Sequence, residues 1–90
     1  MANIASQKKR ILRSERERRE NRWHTSTVKT YFRRLEEAIA EGDAEAIQAA
    51  HRRLVAKIDK AVQKGALHRN TGARKKARAA RLLRRAASNG

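Results

Sequence analysis

The side chains capable of chemistry are few in kind and dominated by one kind. His24, His51 and His68 are scattered, with no pair four residues apart and no carboxylate spaced to complete a metal site. Thr25, Ser26 and Thr27 set hydroxyls beside His24, but a helix surface supplies neither a pocket nor oxyanion donors. Cysteine is absent, so there is no disulfide framework and no thiolate ligand. The sequence also lacks a glycine-rich phosphate loop and zinc-finger spacing. No catalytic, cofactor-binding or metal-binding set is expected. What remains is the guanidinium and ammonium group. Its chemistry is the binding of phosphate, bidentate where arginine provides it.

The chain carries 24 lysines and arginines against 9 acidic residues, a formal net charge of +15 over 90 residues. Residues 1–35 hold 11 basic and 3 acidic side chains, and residues 36–50 hold 5 acidic and no basic ones. Five basic and one acidic residue follow over 51–66, then eight basic and none acidic over 67–90. Both ends are cationic around an acidic middle. Like charges at this density oppose compaction, and a chain this short buries a modest core. A polyanion that completes the fold is implied, and nucleic acid is the natural one. No apolar signal segment or membrane-spanning run is present, and Ala2 stands where myristoylation needs glycine.

Helices must position these cations. Proline is absent and glycine occurs four times, while strand formers never alternate over a useful length. Trp23, Val28, Tyr31, Phe32, Leu35 and Ile39 recur at helical spacing, which assigns the aromatics to a core face rather than to base stacking. The first helix is expected to start from a cap at Asn3 or Ser6 and to end before Gly42. Its front half has only Ile11 and Leu12 as large apolar residues. There Lys8, Lys9, Arg10, Arg13, Arg16, Arg18, Arg19 and Arg22 cover nearly all sides. Such a segment frays when free and becomes continuous helix along phosphates.

Asp43 caps a second helix over 44–64, with Ile47, Ala50, Leu54, Ile58, Ala61 and Val62 facing inward, Val55 at the edge and Gly65 as terminator. The turn at Gly42–Asp43 makes these two helices an antiparallel hairpin. A helix over 5–41 is about 55 Å long and the second about 32 Å, so some 20 Å of basic helix projects beyond its partner. Glu36, Glu37, Glu41, Asp43 and Glu45 ring the turn, which therefore points away from phosphates. After a corner at Leu67–His68, Asn70 or Thr71 caps a third helix. It docks weakly through Ala73, Ala77, Ala80 and Leu83, widened by Ala79, Leu82, Ala86 and Ala87, and Ser88, Asn89 and Gly90 fray. Arg74, Lys75, Lys76, Arg78, Arg81, Arg84 and Arg85 cover the rest of that helix. The fold class is all-α: one domain over 1–90, with a basic arm over 1–22 and a three-helix bundle over 23–87.

The hairpin is too long for a helix-turn-helix, and Gly42 interrupts the heptads that a basic zipper needs. A rod with basic surfaces on several sides suits a folded RNA, bound through phosphate spacing and shape. The alternative is a nucleoid-associated protein that compacts duplex DNA without sequence preference, against which stands the lack of a symmetric dimerisation surface. A cationic amphipathic membrane binder is a third reading, and a buried Trp23 would argue against it.

The opening Ala2-Asn3-Ile4-Ala5-Ser6-Gln7-Lys8-Lys9-Arg10, the centre Ala38-Ile39-Ala40-Glu41-Gly42-Asp43 and the corner Lys64-Gly65-Ala66-Leu67-His68-Arg69-Asn70, with Ala73-Arg74-Lys75 after it, resemble the family of bacterial small-subunit ribosomal protein number twenty. The resemblance covers nearly the whole chain. It implies a three-helix bundle with a long first helix that binds 16S ribosomal RNA directly and early in assembly, without enzymatic activity. It also implies RNA contacts at Lys8, Lys9 and Arg10 in the arm and at His68, Arg69, Asn70, Arg74 and Lys75 in the corner. With Arg13, Arg16, Arg19 and Arg22 of the arm and Arg78 and Arg81 of the third helix, these form the expected interface. The implied location is the cytoplasm, in the ribosome, with minor contacts to other ribosomal proteins and no membrane, small-molecule substrate or homo-oligomer. Two residues depart from the family pattern. Ala5 stands where lysine is frequent, and Gly72 where alanine is usual, so the third helix is expected to begin later or more loosely.

Overall fold

The computed structural model describes residues 2–89, with side chains over 11–87. Three helices follow one another: α1 Ala2–Glu41, α2 Ala44–Gln63 and α3 Arg69–Asn89. They form an all-α bundle with extents of 67 × 22 × 13 Å, elongated because α1 is twice the length of either partner. α2 lies back along α1, while α3 packs mainly on α2 and only grazes α1.

Two glycines punctuate the chain. Gly42 at φ +80° ends α1, its N–H shared between the carbonyls of Ala38 (3.0 Å) and Ile39 (3.2 Å). Gly65 at φ +79° ends α2: its N–H reaches Val62 O at 3.1 Å, and Ala66 N–H reaches Ala61 O at 2.9 Å. That pair of bonds is a Schellman closure, and the left-handed residue it needs is cheapest as glycine. Asp43 caps α2 as expected, its Oδ1 accepting from Glu45 N–H at 3.1 Å.

Other boundaries differ from the sequence expectation. α1 begins at Ala2, upstream of both Asn3 and Ser6, so neither residue marks its start. α3 begins at Arg69, neither late nor loose, and its cap is His68 rather than Asn70 or Thr71. The His68 ring Nδ1 accepts from Asn70 N–H at 3.1 Å, and the His68 carbonyl accepts from Gly72 N–H at 2.9 Å. An imidazole nitrogen here does what an Asn or Asp oxygen does in most caps. At the far end the helix continues through Asn89 rather than fraying at Ser88, and Gly90 lies outside the described residues.

The core is one cluster: Val28, Phe32, Leu35 and Ala38 from α1, Ile47, Leu54, Ile58 and Ala61 from α2, and Ala79 from α3. Tyr31, Ile39, Leu67, Leu82, Leu83 and Ala86 pack around it. Among the described residues no polar or charged side chain is buried, so the core itself is held by apolar area.

Trp23 is not part of this core: it is 59% exposed. Five residues separate it from Val28, about 500° of helical rotation, which leaves it about 140° away from the buried stripe. At its level the inward positions belong to Asn21, His24 and Thr25, all half-buried. The inward face of α3 also differs. Ala73, Ala77 and Ala87 are exposed, and the face is built on Gly72, Ala79, Leu82, Leu83 and Ala86. Alanines on every side of α3 carry little directional signal, and the closest approach decides the orientation.

That approach is at Gly72. A Cβ there would sit 2.5 Å from Val62 Cγ2 and 3.6 Å from Ile58 Cγ2. Valine in a helix holds essentially one χ1 rotamer, so Val62 cannot swing clear cheaply. Gly72→Ala is expected to lower stability by about 1 kcal/mol, since an overpacking cost of ~1–3 kcal/mol outweighs the ~1 kcal/mol of helix propensity gained. On the Val62→Ala background the same change should stabilise. Chemical denaturation followed by circular dichroism measures the cycle, and an alanine tolerated beside the intact Val62 would disprove the close contact.

Candidate nucleic-acid interface

Beyond the turn-distal end of α2, α1 continues alone. Residues 11–20 are all exposed, as are Arg22 and Trp23, and the first buried position is Val28. No Pro or Gly interrupts this stretch. Two exposed (i, i+4) ion pairs support it: Arg13 Nε–Glu17 Oε1 at 3.7 Å and Arg19 Nη2–Glu15 Oε2 at 3.9 Å, each worth a few tenths of a kcal/mol, roughly. Contacts this long and solvated are readily exchanged for a phosphate. On the helical wheel Arg16 and Arg19 share a face with Trp23, Arg13 and Arg22 lie to either side, and Arg18 points the other way. The arm thus presents guanidinium groups around more than half of its circumference. The side chains of Lys8, Lys9 and Arg10 lie outside the described residues.

The corner forms a second cationic region. Arg69 and Asn70 open α3, Arg74 and Arg81 follow on its outer side, and all four are exposed. No acidic residue stands in the first turn of α3, so the positive end of its dipole is uncompensated. Because His68 Nδ1 accepts the capping bond, the ring proton sits on Nε2, which is left as an outward donor. Lys75 is half-buried, its stem lying along the packed side of α3. Arg78 is engaged within the protein: Nη2 lies 3.8 Å from Glu36 Oε1, and the guanidinium sits 5.0 Å from the Phe32 ring centroid. Lys76 is similarly held, with Nζ 2.8 Å from Asp59 Oδ1. Arg78 and Lys76 therefore tie α3 to the hairpin before they meet any ligand.

The expected contact residues do not merge into one patch. The arm residues encircle α1 and the corner residues line the outside of α3. The acidic group of Glu36, Glu37, Glu41, Asp43 and Glu45 lies at the opposite end of the rod from the arm, where the end of α3 with Arg85 also reaches the turn. Sequence reasoning missed the exposure of Trp23 and the capping by His68. The five-residue step to Val28 already contained the first signal.

Among the described residues nothing resembles a reaction centre. An open groove of about 620 Å³ between the helix turn and the end of α3 is lined by Ile39, Ile47, Leu82, Leu83 and Ala86, with Arg85 its only ionisable residue. Among the described residues no three His, Asp or Glu side chains gather as a metal would require.

A family model described as ribosomal protein S20 matches residues 2–84. The chain belongs to the ribosomal protein S20 family. Small ribosomal subunit protein bS20 of Acaryochloris marina is 46% identical over 93 aligned positions, covering 96% of this chain and 99% of that protein. The bS20 protein of a Cyanothece species is 48% identical over 96 positions, covering 99% of this chain and 97% of its own length. That of Kineococcus radiotolerans is 50% identical over 76 positions, covering 84% and 88%. The family match thus spans the arm, the Gly42 turn, the His68 corner and α3 as far as Arg84. It agrees with the resemblance drawn from the sequence, and with it the reading of a structural protein rather than an enzyme.

Proposed function

We propose that this chain is a structural constituent of the small ribosomal subunit that binds 16S ribosomal RNA through phosphate and shape recognition and helps it fold. The observation that carries this reading is a long helix whose basic half, among the described residues, has no packing partner. A rod 67 Å long, with an unpartnered cationic helix at one end, spans several RNA backbones. The arm residues Lys8, Lys9, Arg10, Arg13, Arg16, Arg19 and Arg22 take phosphates, and the arm orders fully on the RNA. Arg69, Asn70, Arg74 and Arg81, with the outward nitrogen of His68, form the second contact, while Lys75 and Arg78 contribute from its border. The acidic tip faces away from phosphate. The protein acts as a monomer in the cytoplasm, in the ribosome, and its contacts with other ribosomal proteins are minor. The duplex-DNA alternative draws no support from the family.

The test is affinity for 16S ribosomal RNA against duplex DNA of matched length across a salt titration. A preference of at least tenfold, about 1.4 kcal/mol, that persists as salt rises is the expected result. Affinities that fall together and meet would mean a polycation without shape recognition.

A further inference from the structure

The large apolar side chains that stay exposed among the described residues are Ile11, Leu12 and Trp23, at 59, 63 and 59%. All three lie on the arm side of the core, where the protein offers nothing to cover them. Trp23, the only tryptophan, has a defined setting. Leu12, Arg16, Arg19, Trp23, Thr27 and Arg34 fall within about 40° of one another's mean direction on the α1 wheel, on the side opposite Val28, Phe32 and Leu35. Thr27 Oγ1 donates back to Trp23 O at 2.8 Å, as Thr30 Oγ1 does to Ser26 O at 3.0 Å. Those hydroxyls are spent on the helix. His24 meets the indole in a T-shaped contact, with centroids 4.9 Å apart at 79°, which occupies at most one face of the indole. Glu20, three residues earlier, is the carboxylate nearest in sequence, against Arg16, Arg19 and Arg22.

We infer that Trp23 is a stacking platform for an unpaired nucleobase of the RNA, flanked by phosphates on Arg16 and Arg19, which share its face. The inference rests on the RNA-binding reading above and adds a contact that charge alone does not supply. Charge complementarity selects the occupant. An aromatic face amid arginines suits a base whose own backbone is anionic. A lipid surface would instead need a continuous apolar face, and on this side of α1 only Leu12 accompanies the ring.

The experiment uses the full chain with 16S ribosomal RNA, reading the emission of the single tryptophan and the affinities of Trp23→Ala and Trp23→Phe. Stacking predicts quenching and loss of acrylamide access on saturation. It also predicts a loss of roughly five- to a hundredfold for Trp23→Ala, from the ~1–3 kcal/mol that base–aromatic stacking supplies. Trp23→Phe should regain most of that loss, and neither variant should change the salt slope, since no phosphate contact is removed. Circular dichroism should show both variants folded, because the residue lies outside the core. Tight 16S binding with unaltered emission, an alanine variant of full affinity, or a phenylalanine variant as weak as alanine would each overturn stacking while leaving RNA binding intact. An emission shift with anionic phosphatidylglycerol vesicles and none with RNA would assign the ring to a membrane and overturn it too. Failure of the unmodified chain to bind 16S RNA at all would remove the ribosomal reading itself.

Discussion

Converting Arg16, Arg19 and Arg22 together to glutamine is expected to weaken binding to 16S ribosomal RNA about a hundredfold at physiological salt and to lower the salt slope by about two. Each phosphate neutralised contributes about 0.7–0.9 to that slope through counterion release. Three lost contacts therefore carry roughly 2 kcal/mol or more at 0.15 M salt. The three residues are exposed and none touches the core, and glutamine is nearly as good a helix former as arginine. The bundle should melt as before. Only the pair between Arg19 and Glu15, already 3.9 Å long, is lost inside the protein. An unchanged slope would mean that the arm does not lie on phosphates, whatever the affinity did.

Much of this architecture is legible in the sequence because a few residues leave the backbone little choice. Gly42 and Gly65 occupy left-handed positions that other residues avoid, and they place both helix ends. Asp43 is legible for the same local reason. The stripe of α2 is readable because its large residues, Ile47, Leu54 and Ile58, stand among polar ones at steps of seven and four. The bare front half of α1 could likewise be read from the missing stripe and from the shorter length of α2.

Where the reading failed, the signal was either degenerate or of an unusual type. Alanines surround α3, so no apolar direction stood out, and a position with no side chain, Gly72, sets its closest contact with Val62. His68 caps through an imidazole nitrogen, which preference tables for Ser, Thr, Asn and Asp do not suggest. Trp23 was grouped with the core because its neighbours in sequence are core residues. A step of five residues takes a side chain one full turn and about 140° more, to the far side of the helix, and the wheel position outranks the residue type. The interface was legible as a composition, since charge needs no register. Which cations are already occupied, as Arg78 is by Glu36, depends on contacts between helices that sequence spacing does not encode.

Leu54→Ala is expected to be the most damaging single substitution in the bundle, and its effect on RNA binding should differ in kind from that of the arginine triple. Leu54 is fully buried in the middle of α2, within the cluster formed with α1. Truncating such a leucine costs about 2–5 kcal/mol, part transfer and part cavity. Chains of this length hold on the order of 5–13 kcal/mol in all. This one sits low in that range, because three of its nine buried hydrophobic residues are alanines and its net charge is +15. Thermal unfolding followed by circular dichroism should therefore shift sharply downward or lose its cooperative transition. RNA binds the folded form and draws the equilibrium back by mass action, so 16S affinity falls only by the fraction of molecules left unfolded. Every cation is retained, so the salt slope stays where it was. A core lesion thus lowers affinity at constant slope, and an arm lesion lowers the slope at constant stability. A Leu54→Ala protein that melted like the parent would show that α2 does not pack on α1 through this residue, and the argument that the arm alone is left without a partner would fall with it.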